Sequence, residues 1–211
     1  MPTTIDDVLT FWFGSAPATN ASEFGVKMKR WYLGGEGEDA AIRERFAEAI
    51  EQALDGGLDA WAETLRGRVA LVLLLDQMTR SVFRGTARAF AGDARAQQLA
   101  AETLRAGTAS ALDFEHRHFL YMPLVHAEDA ALLDLFNEVF PQALARVPDW
   151  ARPLLSDGLE QGAKYREVFA RFGRFPHRNE ALGRRSTPEE LEFLATWEAR
   201  RRPKAFKALV G

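Results

Sequence analysis

Cysteine is absent from the 211 residues. Its absence removes disulfides, thiolate nucleophiles and Cys-ligated zinc from consideration, and it fits a reducing compartment. A long apolar run is missing as well. The longest, Val69–Leu75, has seven residues, against the roughly 20 that a bilayer-spanning helix needs. The opening Met1-Pro2-Thr3-Thr4-Ile5-Asp6-Asp7 lacks both the basic and the apolar stretch of a signal peptide. A cytoplasmic protein without membrane association is therefore expected. No Walker loop, dinucleotide-binding glycine fingerprint, His-Glu-x-x-His string or Gly-x-Ser-x-Gly elbow occurs. Nothing in the sequence names a cofactor.

The net charge of −3 gives no global attraction to nucleic acid. The charge is unevenly spread, since residues 164–207 carry twelve Lys/Arg against six Glu. The run Arg200-Arg201-Arg202-Pro203-Lys204 is basic, but cations are what the macrodipole favours at a helix C-terminus. The negative total disfavours nucleic-acid binding by this run. With 47% hydrophobic and 27% charged residues the chain has the composition of a folded globular protein.

Helical periodicity runs through nearly the whole chain, and strand alternation is almost nowhere to be found. Ile5, Val8, Leu9 and Trp12 form one apolar stripe. Ile42, Phe46, Ala49, Ile50 and Ala53 form another, stopped by Gly56-Gly57. From Leu65 to Phe83 the pattern is apolar on every side through Leu75, as in a helix at the centre of a bundle. Asp93 reads as the N-cap of a helix ending at Gly107, and Pro123 as a break between helices around 113–121 and 127–140. A helix from about Gly158 to Phe172 stops at Gly173. The clearest start is Thr187-Pro188-Glu189-Glu190, with Thr187 as N-cap, Pro188 at N1 and Glu190 closing a capping box. Phe193 and Trp197 then share a face.

The fragments 49–61 and 101–114 share a helix–Gly–Leu–aromatic rhythm, although no 34-residue repeat is legible. No linker divides the chain. The expectation is one all-α domain over residues 1–211, built from antiparallel helix pairs as a bundle or a short solenoid.

Three segments concentrate the chemistry. In Asp76, Arg80, Arg84 and Arg88 the spacing of four puts the residues on one face while a helix lasts. Asp76 ends the apolar run, so it is expected to be buried and paired with Arg80 or with an Arg of 171–178. The second segment is His126-Ala127-Glu128-Asp129. His126 and Asp129 face one way on a helix, as an acid/base pair or, with His177, as a two-His-one-carboxylate metal set. Alternatively, Asp129 caps a helix. No metal ligand is assigned. Upstream of it, His116 and His118 fall on opposite sides of a helix, with His118 read as inward and His116 as solvated.

The third segment, Arg171–Asn179, interleaves three Arg, His177 and Asn179 with Phe172 and Phe175. Guanidinium forks and an imidazole suit a phosphate or carboxylate. The same string also reads as a helix terminator with two core plugs.

Several strings resemble one family. They are Leu73-Leu74-Leu75-Asp76-Gln77, Phe83-Arg84-Gly85-Thr86-Ala87-Arg88-Ala89-Phe90, Arg117-His118-Phe119-Leu120-Tyr121-Met122-Pro123-Leu124 and Arg171-Phe172-Gly173-Arg174-Phe175-Pro176-His177-Arg178-Asn179. Together with Phe11-Trp12-Phe13-Gly14 they resemble the bacterial DUF924 proteins over nearly the whole chain. The resemblance implies an all-helical, tetratricopeptide-like fold and no established activity. Two departures stand out. Tyr165 occupies a place where the resemblance implies a His, and Met78-Thr79-Arg80-Ser81 replaces a more usual Phe-Pro-Arg-Asn.

The leading expectation is a helical protein that binds a small anionic ligand in one Arg/His/Asp-lined cavity. The candidate residues are Asp76, Arg80, Arg84, Arg88, His118, Glu128, Asp129, Arg174, His177, Arg178 and Asn179. One rival is an enzyme in the same pocket, with His126, His177 or Asp76 in acid/base roles. The other is a tetratricopeptide-like module for a protein partner.

Overall fold

The computed structural model describes residues 2–201, with side chains as far as Trp197; the side chains of the basic run at 200–204 lie outside these. The described residues are helical or irregular, without a strand. No helix among them is long and apolar enough to cross a membrane. The chain divides into two compact units, residues 1–84 with 88–124, and residues 85–87 with 125–211.

The first unit starts with α1 (Ile5–Phe13), whose apolar stripe buries Val8, Leu9 and Trp12 as its spacing demands. It continues with α2 (Ala21–Leu33) and α3 (Gly35–Leu54), which buries all five residues of its expected stripe. Next come α4 (Leu65–Val72), a π-helical turn (Leu73–Met78) and α5 (Thr79–Val82). The run read as one helix to Phe83 is thus continuous but widened in its middle. The Thr79 N–H bonds to Leu74 O, the i→i−5 closure of a π turn. The Thr79 hydroxyl donates to the same oxygen at 2.5 Å, which doubles the hold on it. Leu73, Leu74 and Leu75 are each at most 2% exposed, so this segment is the centre of the unit's core.

After it, α6 (Asp93–Arg105) and α7 (Phe114–Val125) complete the unit's helices. Two expectations are corrected here. Asp93 is the first helical residue, with Gly92 as N-cap, because its carboxylate is drawn to Arg80. Pro123 does not break α7. It stands two residues from the end, where few later N–H groups depend on the local geometry. Gly92 has a packing role, since a Cβ there would come within 2.2 Å of Leu75 O. The rhythm shared by 49–61 and 101–114 resolves into a helix, a glycine with positive φ (Gly56, Gly107) and a short 3-10 turn.

The second unit holds α8 (Ala130–Leu144), α9 (Arg152–Leu155), α10 (Asp157–Phe172) and α11 (Pro188–Arg201). α8 and α10 pack along each other. Gly173, at φ 64°, ends α10 as expected. The Thr187 box opens α11: Glu190 N donates to Thr187 Oγ1 at 3.2 Å, and Thr187 N donates to Glu190 Oε2 at 2.8 Å. Leu133, Val168, Phe175, Phe193 and Trp197 form this unit's core.

Candidate functional site

In the first unit Asp76 is 1% exposed and pairs with Arg80 at 3.1 Å, as burial of a carboxylate requires. The Gln77 amide donates to the same carboxylate. Arg80 forks onto Asp93 as well, at 2.7 and 3.0 Å, so one guanidinium serves two carboxylates. The shared face with Arg84 and Arg88 is not formed, because α5 ends at Val82. Arg84 is instead carried back to α3, where it forks onto Asp39 at 2.8–3.0 Å. Arg88 pairs with Glu51 and lies over the Phe83 ring.

His118 points inward and His116 does not reach solvent as expected. Its ring stacks on Phe13 at 4.0 Å and meets the Asp113 carboxylate at 2.6 Å, so its side chain is 12% exposed. His118 is 7% exposed, and its Nε2 lies 2.5 Å from the Tyr32 hydroxyl. Burial pushes the His118 imidazole down to about 4, so it is neutral near pH 7. Burial, with the Asp76 charge behind it, pushes the Tyr32 hydroxyl above its ordinary range.

Tyr32 also lines a pocket of about 50 Å³ in this unit. Trp12, Trp31 and Ile42 give it apolar walls, and Ser81 contributes a hydroxyl. Two cations, Arg30 and Arg84, and two anions, Glu38 and Asp39, complete the polar lining. Gly34 and Gly35 bring the start of α3 to its wall, and α3 has no side-chain cap. Sequence reasoning named Arg84 here and missed Tyr32, Arg30, Glu38, Asp39 and Ser81. Their partners lie up to 90 positions away in sequence, so no local pattern marks them.

In the second unit the candidate donors turn onto one another. Glu128 accepts both Nη groups of Arg184 at 2.8 Å and the Phe175 N–H at 2.6 Å. Burial alone would raise the Glu128 carboxyl; the hydrogen bonds from Arg184 and Phe175 reverse that and hold it below its usual range. Arg174 forks onto Glu190 at 2.7 and 2.8 Å. Asn179 donates to Ser186 Oγ and to Glu190. Arg178 donates to the His126 carbonyl at 2.6 Å and lies over Phe175. His177 stacks between Phe175 and Trp197, with Tyr165 edge-on.

Asp129 takes the capping alternative, accepting from Leu132 N at the start of α8, while α7 has already ended before His126. The helical face on which His126 and Asp129 would have joined is therefore absent. Among the described residues no group of three or more His, Asp or Glu is arranged to hold a metal ion. Asp76, Arg80, Arg84, Arg88 and His118 belong to the first unit, and Glu128, Asp129, Arg174, His177, Arg178 and Asn179 to the second.

The model of a family described as bacterial protein of unknown function (DUF924) matches residues 8–197. The chain belongs to that family. A solved structure, that of the protein of unknown function ATU0120 from Agrobacterium tumefaciens, is similar at 34% identity and a TM-score of 0.72. The match covers 90% of this chain and 96% of that one. No curated protein matches. In this DUF924 chain Tyr165 packs edge-on against both Phe175 and Trp197. Arg80, within the departing Met78–Ser81 string, keeps the buried Asp76 paired.

Proposed function

We propose that this protein binds a small anionic ligand in the pocket of its first unit, with Arg84 as the principal anchor. One observation carries the reading: two guanidiniums and the uncapped start of a 20-residue helix line a single concavity. Helix N-termini favour anions through their unpaired N–H groups and dipole. Arg84 uses Nε and Nη2 on Asp39, and among the described residues its Nη1 is in no hydrogen bond. A guanidinium has five N–H donors in a planar fork, so one edge can hold the protein while another takes a ligand. The cavity of about 50 Å³ is far smaller than the usual ligand site, which restricts it to a compact anion.

In the second unit, Arg174, Arg178 and Asn179 already serve Glu190, the His126 carbonyl and Ser186. Support for the reading therefore comes from Arg84 more than from that loop. The tetratricopeptide-like stacking of helix pairs is part of the same proposal, since such stacks gather ligand groups on one face.

The test is a thermal-shift series of the full chain with phosphate, sulfate and small carboxylates. An anion at 100 times its Kd adds about 2.7 kcal/mol, which raises Tm by roughly 5–10 °C for a chain of this size. Arg84→Met is expected to lose that response. A wild-type Tm unmoved by every anion, or an equal response from Arg84→Met, sinks the reading.

The enzyme reading has one observation of its own: Tyr32, a residue of the pocket lining, has its hydroxyl bonded to His118. A hydroxyl so placed can carry a proton to or from a ligand. Substrate screening tests this. A compound turned over by the wild type and not by Tyr32→Phe supports it, and equal turnover by both removes it.

A further inference from the structure

We infer that the ligand of the first-unit pocket is a zwitterion, a small molecule that carries an ammonium group besides its carboxylate or phosphate. The inference rests on the anion-binding reading and narrows it by charge balance. The lining holds Arg30 and Arg84 against Glu38 and Asp39, two positive and two negative groups. A bare anion entering there gains one guanidinium edge and meets two carboxylates in the same lining. That repulsion offsets part of the gain, since both carboxylates are largely shielded from water while Arg84 is 67% exposed. A bare cation meets the mirror problem. A ligand with both signs removes it.

The open valences divide the same way. Arg84 forks onto Asp39 through Nε and Nη2, so Nη1 is the donor still available. Arg30 gives Nη2 to Glu38 Oε1 at 2.6 Å and Nη1 to the Phe11 carbonyl at 2.6 Å. Among the described residues the second Glu38 oxygen is in no hydrogen bond. Arg84 and Glu38, both residues of the lining, thus each keep one group outside these bonds, a cationic edge and an anionic oxygen, each fixed by an ion pair to its neighbour. The Glu38 and Asp39 side chains are 22% and 14% exposed, so water screens them incompletely. The cavity of about 50 Å³, with Trp12, Trp31 and Ile42 among its lining, limits the ligand to a short methylene spacer between its two charges.

The experiment is isothermal calorimetry of the full chain with chain-matched probes: propanoate against 3-aminopropanoate, butanoate against 4-aminobutanoate, butylammonium as the cation and inorganic phosphate as a second anion. At least one amino acid is expected to bind about tenfold tighter than its matched carboxylate, the worth of one charge-assisted hydrogen bond. Glu38→Gln is expected to abolish that difference. The wild-type comparison stands even if this variant folds poorly. Equal binding of matched pairs, with carboxylates or phosphate still bound, overturns the zwitterion and leaves the anion reading standing. Binding of butylammonium alone, or of no probe, overturns both.

Discussion

The Tyr32 hydroxyl and His118 Nε2 lie 2.5 Å apart, and His118 Nδ1 has no hydrogen-bond partner. These facts constrain the imidazole. If Nε2 accepted from Tyr32, Nδ1 would carry a buried, unpaired N–H. If Nε2 donates, Nδ1 presents only an unpaired lone pair, which costs less than an orphaned donor. The second tautomer also lets the Tyr32 hydroxyl turn to the Met122 sulfur at 3.7 Å. His118 is thus neutral and donates to Tyr32, which fixes the orientation of the Tyr32 side chain.

A neutral buried histidine makes stability depend on pH. The unfolded imidazole binds its proton near 6.5 and the folded one near 4, so the unfolded chain takes the proton first on acidification. The contribution is fully present above pH 6.5 and is lost progressively as pH falls toward 4, by up to about 1.4 kcal/mol per pH unit. Urea denaturation of wild type and His118→Asn between pH 4.5 and 7 measures it. The wild type is expected to show the steeper decline. Parallel profiles would mean that His118 is charged or solvated in the folded protein.

Gly162 sets the approach of α10 to α8. A Cβ there would lie 2.4 Å from a Phe136 ring carbon and 2.5 Å from the Asn137 side-chain oxygen. Ala would gain about 1 kcal/mol in helix propensity, but overpacking a closed interface costs about 1–3 kcal/mol. Phe136 is 1% exposed and cannot swing away, so the packing loss wins. Gly162→Ala is expected to lose about 1 kcal/mol net in chemical denaturation, within those limits. A more stable variant would show that the two helices can part without cost.

How far the sequence carried depended on the range of the interaction. The Thr187 box, the Gly173 stop and the α3 stripe are local, and each was legible because capping and periodicity act within a few residues. The burial of Asp76 and its partner Arg80 followed from the apolar run and a spacing of four. The π turn at Leu73–Met78 left no trace, since a segment apolar on every side reads the same at any helical pitch. Arg30, Glu38 and Asp39 look like ordinary surface charges on α2 and α3. Only the fold brings Arg84 onto Asp39, and only the fold turns Phe175 N, Arg174 and Arg178 onto Glu128, Glu190 and a carbonyl.

Glu190 gathers more donors than any other carboxylate of the second unit's loop, and its behaviour in acid tests whether that network holds α11. The hydrogen bond from Arg174 brings its carboxyl down to about 2 against an unfolded value of 4.5, with Thr187 N and Asn179 adding to the effect. A carboxyl lowered on folding stabilises fully above pH 4.5, and its contribution fades as pH falls from 4.5 toward 2. At pH 7, Glu190→Gln removes the ion pair with Arg174 and weakens the reciprocal cap, while Thr187→Ala removes only the cap, at about 1 kcal/mol. Glu190→Gln should therefore be the more damaging of the two at pH 7. Its deficit should shrink as pH drops below 4.5, because the wild type then loses the same charge, whereas the Thr187→Ala deficit should persist until the box itself is protonated. Hydrogen exchange of the α11 amides across pH 2.5–7 resolves the two. A Glu190→Gln deficit that stays constant through that range would show that the buried charge contributes nothing to holding α11.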